Sequence, residues 1–541
     1  MKSIKYIVAV FSLLLISVGC EDDIIELTER DSLPSDQALA GLNGMQTTLF
    51  GVYERARSLH ENNEISLYKQ CGTDIVQSGT HMQDVGNDGM RGMMEYVNAF
   101  DASSAQVNNI FSGLNQSISA VDAITSFGEN LVPKNEDEER KKNDYIGQAY
   151  CLRANAYLEM AERWDNVVFP DLAEHVDSIK YDFDLNDQTA VLEQVISDAE
   201  AAVPYLRTRL ENANVGVPSK DMAYLLIMKA NLWLGNYAEA AQAAEDVIAQ
   251  GAQLQPLDGI FGLDGGKGGE ENNEEIIFSW IFSENNQDRP QRTVQMYVPL
   301  YDRVPGVGRT LGQGGRPWAR LSPSEYYWDL FDSDADGDLS DEADGRISAW
   351  HKFAWTIDDI SNLDTSLPGA EYLSEGDLLT VDSLYFQSWA SNDREARYLE
   401  PTTTKTWEDG TYGRLADEAQ GFRNIIVYRL SMAYILGAEA HWRNGNEARA
   451  LELLNAIRER AYGNTSNNFS SIDLETIIEE HARELGHEGH RWAFLKRLGI
   501  LEERVKMHNP SAAPNIQPRH VRWPLPQNFV DQTGVQQNPQ W

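Results

Sequence analysis

The stretch AYLLIMKANLWLGNYAEA, residues 223 to 240, has a second copy 210 positions further along the chain. The copy, residues 433 to 450, reads AYILGAEAHWRNGNEARA and shares Ala, Tyr, Leu, Ala, Gly, Asn, Ala and Ala with the first without a gap. Small and apolar residues recur at helical spacing, so one face of each helix is expected to contact a partner. Gly-Asn then ends the helix, because glycine accepts the left-handed conformation at low cost. A second helix follows in both copies, which predicts helical hairpins of tetratricopeptide type.

A third, partial copy, AYCLRANAYL, lies at residues 149 to 158. The copies predict helix pairs near residues 145–165, 220–250 and 429–461. They are not in tandem, and the largest insertion between them, about residues 280–411, contains seven of the 13 tryptophans. We therefore expect a mostly α-helical fold in which tetratricopeptide-like hairpins form a single domain, residues 41–541, with long loop insertions and short β elements.

The first forty residues do not fit this pattern. Two lysines precede an apolar run, residues 6 to 18, that is too short to span a bilayer but typical of a signal peptide, which we assign to residues 1–19. The run ends in SVGC, which resembles a bacterial lipobox and predicts lipidation of Cys20 at the start of a linker, residues 20–40. A serine stands where a lipobox prefers leucine, so cleavage by an ordinary signal peptidase is the alternative.

The chain is strongly acidic, with a formal charge of −39. Without residues 1–19 the balance is 43 basic against 84 acidic residues, or −41. Such a field repels nucleic acid, so we expect no nucleic-acid partner. It also favours a neutral ligand over a polyanionic one, unless a local basic patch overrides it within a Debye length of about 8 Å. Besides Cys20 only Cys71 and Cys151 remain, and we expect two buried thiols rather than a disulfide framework.

Several motifs along the chain resemble one family. They are ALAGLNGMQTTLFGVYERA and GTDIVQSG near the N-terminus, GQAYCLRANAYLEMAERWDNVVFP, the strand-like NEEIIFSW, RELGHEGHRWAFLKR, and the C-terminal WPLPQNFVDQTGVQQNPQW. The last two are the most specific, and the set covers nearly the whole chain. On these motifs the chain resembles the SusD/RagB lipoproteins, nutrient-binding partners of outer-membrane transporters. The three acidic residues after Cys20 resemble the surface-export signal of Bacteroidota lipoproteins.

The resemblance implies a binding function without bond cleavage. A SusD-like protein would be anchored to the outer membrane by its lipid, exposed at the cell surface, and would capture oligosaccharide for a TonB-dependent transporter of SusC type, over which it acts as a lid. No cofactor is required, and no catalytic residue is expected. A RagB-like peptide receptor is the alternative binding function. A glycoside hydrolase is the alternative from another class, since 84 acids leave room for two carboxyl groups about 5 to 9.5 Å apart.

Ligand contacts are expected in the insertions, because loops on a rigid support carry function. Sugars offer C–H faces to aromatic rings and hydroxyl groups to planar or charged hydrogen-bond partners. Residues 297 to 331 supply both, and the resemblance places a glycine-rich aromatic loop of this kind at the ligand face. A second polar, glycine-rich loop spans residues 78 to 93. The candidate ligand-binding residues are Trp318, Arg316, Tyr301, Tyr297, His81 and Arg91.

An aspartate-rich segment, DSDADGDLSDEADGR at residues 332 to 346, matches part of a calcium loop. Positions 1, 3, 5 and 7 of an EF-hand-like loop are occupied by Asp332, Asp334, Asp336 and Asp338, with glycine at position 6. An alanine occupies position 12, so the bidentate glutamate is missing. The four aspartates are a candidate site for structural calcium, and a solvated acidic turn is the alternative.

The segment RELGHEGHRWAFLKR contains two histidines three residues apart, which raises the question of a metal site. His487 and His490 could share a helical face, but zinc needs three or four ligands and the HExxH spacing is absent. The resemblance makes this stretch a structural helix. We therefore expect its basic residues to pair with nearby acids; these are Arg483, Arg491, Lys496 and Arg497.

Overall fold

The computed structural model describes residues 41–61, 67–84, 89–97, 100–169, 184–261, 272–283, 285 and 290–541. The predicted signal peptide, Cys20 and the linker to residue 40 lie outside the described residues, as do parts of the polar loop at residues 78–93 and of the large insertion near residues 284–289. Among the described helices, none combines the length and the apolar character that crossing a membrane requires.

The described part of the chain contains seventeen α-helices. The first seven are α1 (Gly41–Ser58), α2 (Met90–Glu95), α3 (Ala105–Asn130), α4 (Glu136–Trp164), α5 (Gln188–Ala202), α6 (Lys220–Leu234) and α7 (Tyr237–Ile248). Four short helices follow within or beside the large insertion: α8 (Asp258–Phe261), α9 (Glu325–Asp329), α10 (Gly345–Trp350) and α11 (Leu384–Trp389). The last six are α12 (Leu430–Arg443), α13 (Glu447–Tyr462), α14 (Leu474–Leu485), α15 (Arg491–Arg497), α16 (Leu501–His508) and α17 (Gln527–Thr533).

Two hairpins lie where the internal repeat predicts them. The first copy forms α6 and α7, and the second forms α12 and α13. Each helix packs against its partner, and α7 also packs against α12, so the two copies are neighbours in space although the large insertion separates them in sequence. The partial copy does not form the helix pair predicted near residues 145–165, because residues 145–164 belong to the single helix α4. This helix packs between α3 and α5, and α5 packs on α6. The helices thus form one continuous stack, called the helical frame below, and the insertions leave it and return to it.

Small residues permit the close turns and crossings of the helical frame. Gly235 and Gly445, which follow α6 and α12, have φ angles of 76° and 82°, in the left-handed region. Gly437 lies where α12 crosses α7, and a Cβ added there would stand 2.8 Å from the Cβ of Ala244. A larger side chain at this crossing would force the two repeat copies apart, because packed helices tolerate little added volume.

In the described residues, eight short strands form four antiparallel pairs. They are β1 (Val76–Ser78), β2 (Ile276–Trp280), β3 (Leu321–Pro323), β4 (His351–Lys352), β5 (Trp355–Thr356), β6 (Leu378–Leu379), β7 (Thr402–Thr403) and β8 (Ile425–Arg429). The pairs are β1 with β3, β2 with β8, β4 with β7 and β5 with β6. The strand-like NEEIIFSW segment thus ends in β2, and its partner β8 leads directly into α12. The β2–β8 pair therefore ties both ends of the large insertion together at the helical frame.

The large insertion has a hydrophobic core of its own. Apart from the core that runs through the helical frame, a second cluster of buried side chains lies within residues 298–407. Four of the seven tryptophans of the insertion are buried: Trp280, Trp350, Trp355 and Trp407. Both remaining cysteines, Cys71 and Cys151, are buried free thiols, as predicted. The insertion is thus a packed unit, which gives its surface loops a rigid base.

Of the two histidines of the HEGHRW segment, His487 is buried and His490 is half-buried. The His487 ring is edge-on to the Tyr327 ring, with centroids 4.4 Å apart, and Nε2 of His490 is 2.9 Å from the Val427 carbonyl oxygen. Between them, Glu488 accepts hydrogen bonds from buried basic side chains on other segments. This segment therefore serves to join parts of the core.

The basic residues of this segment pair with acids as predicted. The ion pairs are Arg483 with Glu479 and Glu480, Arg491 with Asp74, Lys496 with Asp165, and Arg497 with Glu439. Arg491 and Asp74 are both buried and stand 417 positions apart in sequence. The GTDIVQSG and HEGHRW motifs therefore meet in space, and the ion pair between them fixes the start of β1.

Candidate ligand-binding cleft

The two insertions that carry the candidate residues meet at one place. The first contains β1 and the second contains β3, and these strands pair. Pairing continues beyond the strands, because the backbone N–H of Gly79 donates to the Arg320 carbonyl oxygen at 2.9 Å. The N–H of His81 donates to the Ala319 carbonyl oxygen at the same distance. His81 is therefore held directly beside the segment that carries Trp318.

A cleft of about 360 Å³ opens at this junction, a volume within the usual range of small-molecule sites. Three of the six candidate residues line it, namely His81, Arg316 and Trp318. The other lining residues are Leu300, Asp302, Arg303, Arg309 and Pro317. A more enclosed cavity beside Lys405 and His490 measures only about 70 Å³, well below that range. The cleft is therefore the better candidate for a sugar-sized ligand.

Trp318 is half-buried, and charged groups lie over its ring. The guanidinium carbons of Arg316 and Arg320 stand 5.5 and 5.0 Å from the ring centroid, within cation–π range. The His81 ring approaches edge-on, with centroids 5.3 Å apart. Burial, and then the Arg320 guanidinium, lower the pKa of His81, so this imidazole is neutral at pH 7. Trp318 thus orients Arg316 and Arg320, and these two side chains cover part of its ring surface.

The three arginines that line the cleft differ in their partners. Nε of Arg309 donates to Asp302 at 2.7 Å and Nη1 to Asp417 at 2.8 Å, so its charge is matched. Arg303 is exposed, and its guanidinium carbon lies 5.8 Å from the Tyr398 ring centroid. Within the described part of the chain, neither Arg303 nor Arg316 forms an ion pair with a carboxylate. Within the described residues these two guanidinium groups therefore have no directly paired carboxylate, although Asp84 interacts electrostatically with Arg303.

Two candidate residues are corrected by the structure. Tyr297 is 1% exposed and Tyr301 is 0% exposed, so neither ring can stack on a ligand. The Tyr301 hydroxyl donates to the Gly315 carbonyl oxygen at 2.7 Å, and the Tyr297 hydroxyl donates to Gln70. Their rings turn inward because the insertion needs large side chains to fill its core. Tyr301 instead supports, from beneath, the loop that carries Arg316.

Arg91 is also separated from the cleft. It lies on α2, where its Nε is 2.9 Å from a carboxylate oxygen of Glu95. The other carboxylate oxygen of Glu95 accepts a hydrogen bond from the Ser78 hydroxyl at 2.7 Å. The structure thus places Arg91 in an ion pair that stabilises the end of β1, and no contact links it to Trp318.

Arg303 and Arg309 were missed by the sequence reasoning. Residues 303 to 320 contain four arginines and no acid, in a chain with 84 acidic and 45 basic residues. This reversal of charge over one short segment is the signal that could have identified them. A count of local charge therefore predicts more of this cleft than the search for aromatic residues.

The acidic loop keeps the geometry of a candidate metal site. One carboxylate oxygen from each of Asp332, Asp334 and Asp336 lies within 4.8 Å of the other two, whereas Asp338 is outside this group. Asp332 accepts hydrogen bonds from the backbone N–H groups of Asp336 and Gly337, at 3.2 and 2.9 Å. Repulsion from Asp336 raises the pKa of Asp334, and a divalent cation would relieve that repulsion. Structural calcium therefore stays a prediction.

Comparison with known proteins agrees with this architecture. Residues 274 to 541 match the SusD family. SusD-like protein P25 of Formosa agariphila is 22% identical over 546 residues, which cover 97% of this chain and 96% of that protein. SusD-like protein P2 of the same organism is 24% identical and covers 96% of both chains. The chain is thus similar to SusD-like proteins over nearly its whole length.

Solved structures of SusD-like proteins share this fold. A SusD homologue from Bacteroides thetaiotaomicron has a TM-score of 0.73 at 20% identity, covering 94% of this chain and 98% of that one. A laminarin-binding SusD-like protein has a TM-score of 0.68 at 18% identity, covering 92% and 99%. At such identities the likeness shows the fold alone. It confirms the mostly α-helical SusD-like domain that the repeat and the motifs predict.

Proposed function

We propose that the protein is a cell-surface lipoprotein that captures oligosaccharide without cleaving it and delivers it to a SusC-type TonB-dependent transporter in the outer membrane. The observation that carries this proposal is the cleft, where two insertions distant in sequence bring His81, Arg316 and Trp318 together on a packed base. An aromatic ring beside planar hydrogen-bond donors suits sugars. The match to the SusD family and the laminarin-binding structural neighbour support the same ligand class.

The number of acidic residues that line the cleft favours ligand binding over hydrolysis. Glycosidic hydrolysis needs two carboxyl groups about 5 to 9.5 Å apart, one of which must carry a proton. Among the lining residues in the described ranges, Asp302 is the one acid, and it accepts hydrogen bonds from Arg309. The cleft therefore supports capture of a glycan better than its cleavage.

Affinity gel electrophoresis of the mature protein against a panel of polysaccharides tests this function. We expect Trp318→Ala to weaken binding of the retained polysaccharide about tenfold, because loss of the ring releases the arginines that it orients. Tyr372→Ala is the matched control, since Tyr372 is 77% exposed on the same insertion and does not line the cleft. Unchanged retention of Trp318→Ala would place the site elsewhere. New reducing ends, formed at enzymatic rates in the same mixtures, would make the protein a hydrolase.

The proposed lipid anchor is based on the SVGC motif, and the proposed transporter partner is based on the likeness to the SusD family. Metabolic labelling with palmitate should mark the wild-type protein and not Cys20→Ser, and protease treatment of intact cells should degrade it if it is surface-exposed. Purification from detergent-solubilised outer membranes should recover a TonB-dependent transporter with it. Wild-type protein that takes up no label would contradict the lipid anchor.

A further inference from the structure

The cleft is basic although the chain is acidic. Its eight lining residues include three arginines and one aspartate, in a chain of formal charge −39. The aspartate, Asp302, is already bound by Arg309, which also pairs with Asp417. The excess charge therefore belongs to Arg303 and Arg316, which form no ion pair within the described residues.

Both of these guanidinium groups are oriented by aromatic rings. Arg316 lies over the Trp318 ring, and Arg303 lies beside the Tyr398 ring, whose hydroxyl is 3.4 Å from Nη1 of Arg303. Stacking on an aromatic face leaves the N–H donors at the edge of a guanidinium available. A planar fork of such donors matches the paired oxygens of a carboxylate or of a sulfate ester.

The negative charge of the whole chain does not prevent an anion from binding here. Charges separated by more than a Debye length, about 8 Å at physiological ionic strength, are largely screened from one another. Charge-assisted hydrogen bonds act at about 2.7–2.9 Å, far inside that length. The acids on the rest of the surface therefore slow the approach of an anionic ligand more than they weaken its contacts with Arg303 and Arg316.

We propose that the cleft binds an acidic glycan, in which Arg303 and Arg316 hold a carboxylate or sulfate group beside Trp318. This inference rests on the proposed function and narrows its ligand to one chemical class. It replaces the expectation of a neutral glycan, which was drawn from the total charge of the chain. The charge of the residues that line the cleft is the better guide to the charge of the ligand, because Arg303 and Arg316 lie at the proposed binding site.

Matched pairs of polysaccharides test the charge of the ligand. Alginate, polygalacturonate and sulfated algal galactans are each compared with their carboxyl-reduced or desulfated forms, with laminarin and starch as neutral references. We expect the mature protein to retain at least one acidic polymer and to bind its neutralised form about 10- to 100-fold more weakly. Loss of binding on carboxyl reduction identifies a uronate, and loss on desulfation identifies a sulfate ester.

Arginine variants assign the binding to the cleft. Arg303→Met and Arg316→Met should each weaken binding of the acidic polymer about tenfold or more, whereas Arg55→Met, the same change at an exposed position of α1, should not. Raising the salt concentration to about 0.5 M should weaken binding by the wild type more than binding by the two cleft variants.

Three outcomes would contradict the inference in distinguishable ways. Equal binding of native and neutralised polymers, or unchanged binding in both cleft variants, overturns the acidic ligand and leaves the proposed function standing. Failure of the wild type to retain any polysaccharide of the panel overturns both. If the wild type retains poly-glutamate but no polysaccharide of the panel, the ligand of the cleft is an acidic peptide.

Discussion

Arg429 in the helical frame and Arg316 in the cleft have the same side chain in opposite surroundings. Arg429 is fully buried and donates to Glu275, Glu484 and Glu488, at distances of 2.5 to 3.0 Å. Arg316 is half-exposed, stacks on an indole and, within the described residues, meets no carboxylate. The first guanidinium is thus paired with carboxylates inside the protein, whereas no carboxylate of the described residues pairs with the second.

This difference separates structural arginines from candidate ligand-binding ones. A buried guanidinium without carboxylates would destabilise the fold, so the frame supplies acids for it. At the surface, an arginine loses little by lacking a partner, because water solvates it. In so acidic a chain, however, arginines gathered at one cleft and paired with no carboxylate of the described residues indicate a ligand that supplies negative charge.

Replacing Arg429 by methionine should have the largest effect on stability. The substitution leaves the buried carboxylates of Glu484 and Glu488 with one partner fewer, and breaking a buried ion pair from one side costs about 3–5 kcal/mol. Urea unfolding at neutral pH should show that loss in the free energy of unfolding. Arg429→Lys restores the charge without the planar fork and should recover part of it. A loss below about 1 kcal/mol would make this network no stronger than a surface ion pair.

Acid should weaken the same network over a defined range of pH. Burial alone raises the pKa of Glu480, but Arg346, Arg483 and Arg458 hold it at about 2, below the ordinary value of 4.5. Because the folded-state pKa is the lower one, the stability contributed by the charged group is complete above pH 4.5 and is lost as the pH falls toward 2. This contribution is on the order of 3 kcal/mol.

Urea titrations repeated from neutral pH downward measure that loss. Glu480→Gln is the control, because it should be less stable than the wild type at neutral pH and lose less stability on acidification. Parallel pH profiles of the two proteins would show that Glu480 is not a group whose protonation weakens the fold.

The helical frame could be predicted from the sequence because its signals are local. Apolar spacing and the Gly-Asn stop repeat within 18 residues of each copy, and α6–α7 and α12–α13 lie within a few residues of the predicted pairs. The packing of α7 against α12 could not be predicted in this way, because it depends on where the chain rejoins the helical frame after the large insertion. Local periodicity in the sequence predicts individual helices and strands, whereas contacts between elements distant in sequence are seen only in the structure.

The cleft could be predicted only in part, because distant residues form it. His81 and Trp318 were both candidates, but they stand 237 positions apart and are brought together by the pairing of β1 with β3. An irregular loop has no periodicity that separates inward from outward side chains, so Tyr301 could not be distinguished from Trp318. Likewise Arg309 finds Asp417 across 108 positions. Which arginines have no directly paired carboxylate is therefore a property of the folded chain.

The acidic loop is a candidate cation site, just as the cleft is a candidate anion site. Calcium bound there should change the free energy of unfolding less than acidification does. Within the described residues, Asp332, Asp334 and Asp336 cluster without an ion pair to a basic side chain. Calcium at ten times its Kd would stabilise the fold by about 1.4 kcal/mol. A chelator should then lower the melting temperature by about 1–3 °C, and Asp334→Asn should abolish that shift. An unchanged melting temperature would leave the solvated acidic turn as the better description.

Arg316→Met should have the smallest effect on stability, although it is the same substitution as Arg429→Met. The guanidinium leaves no buried carboxylate behind, and the cation–π contact that it loses is worth about 0.5–1 kcal/mol at an exposed site. Methionine keeps some of the contact with the indole through its thioether. Urea unfolding should therefore change by less than about 1 kcal/mol, while affinity for the acidic polymer falls. If Arg316→Met unfolded as easily as Arg429→Met, Arg316 would be a structural residue, and the charge of the cleft would serve the fold rather than a ligand.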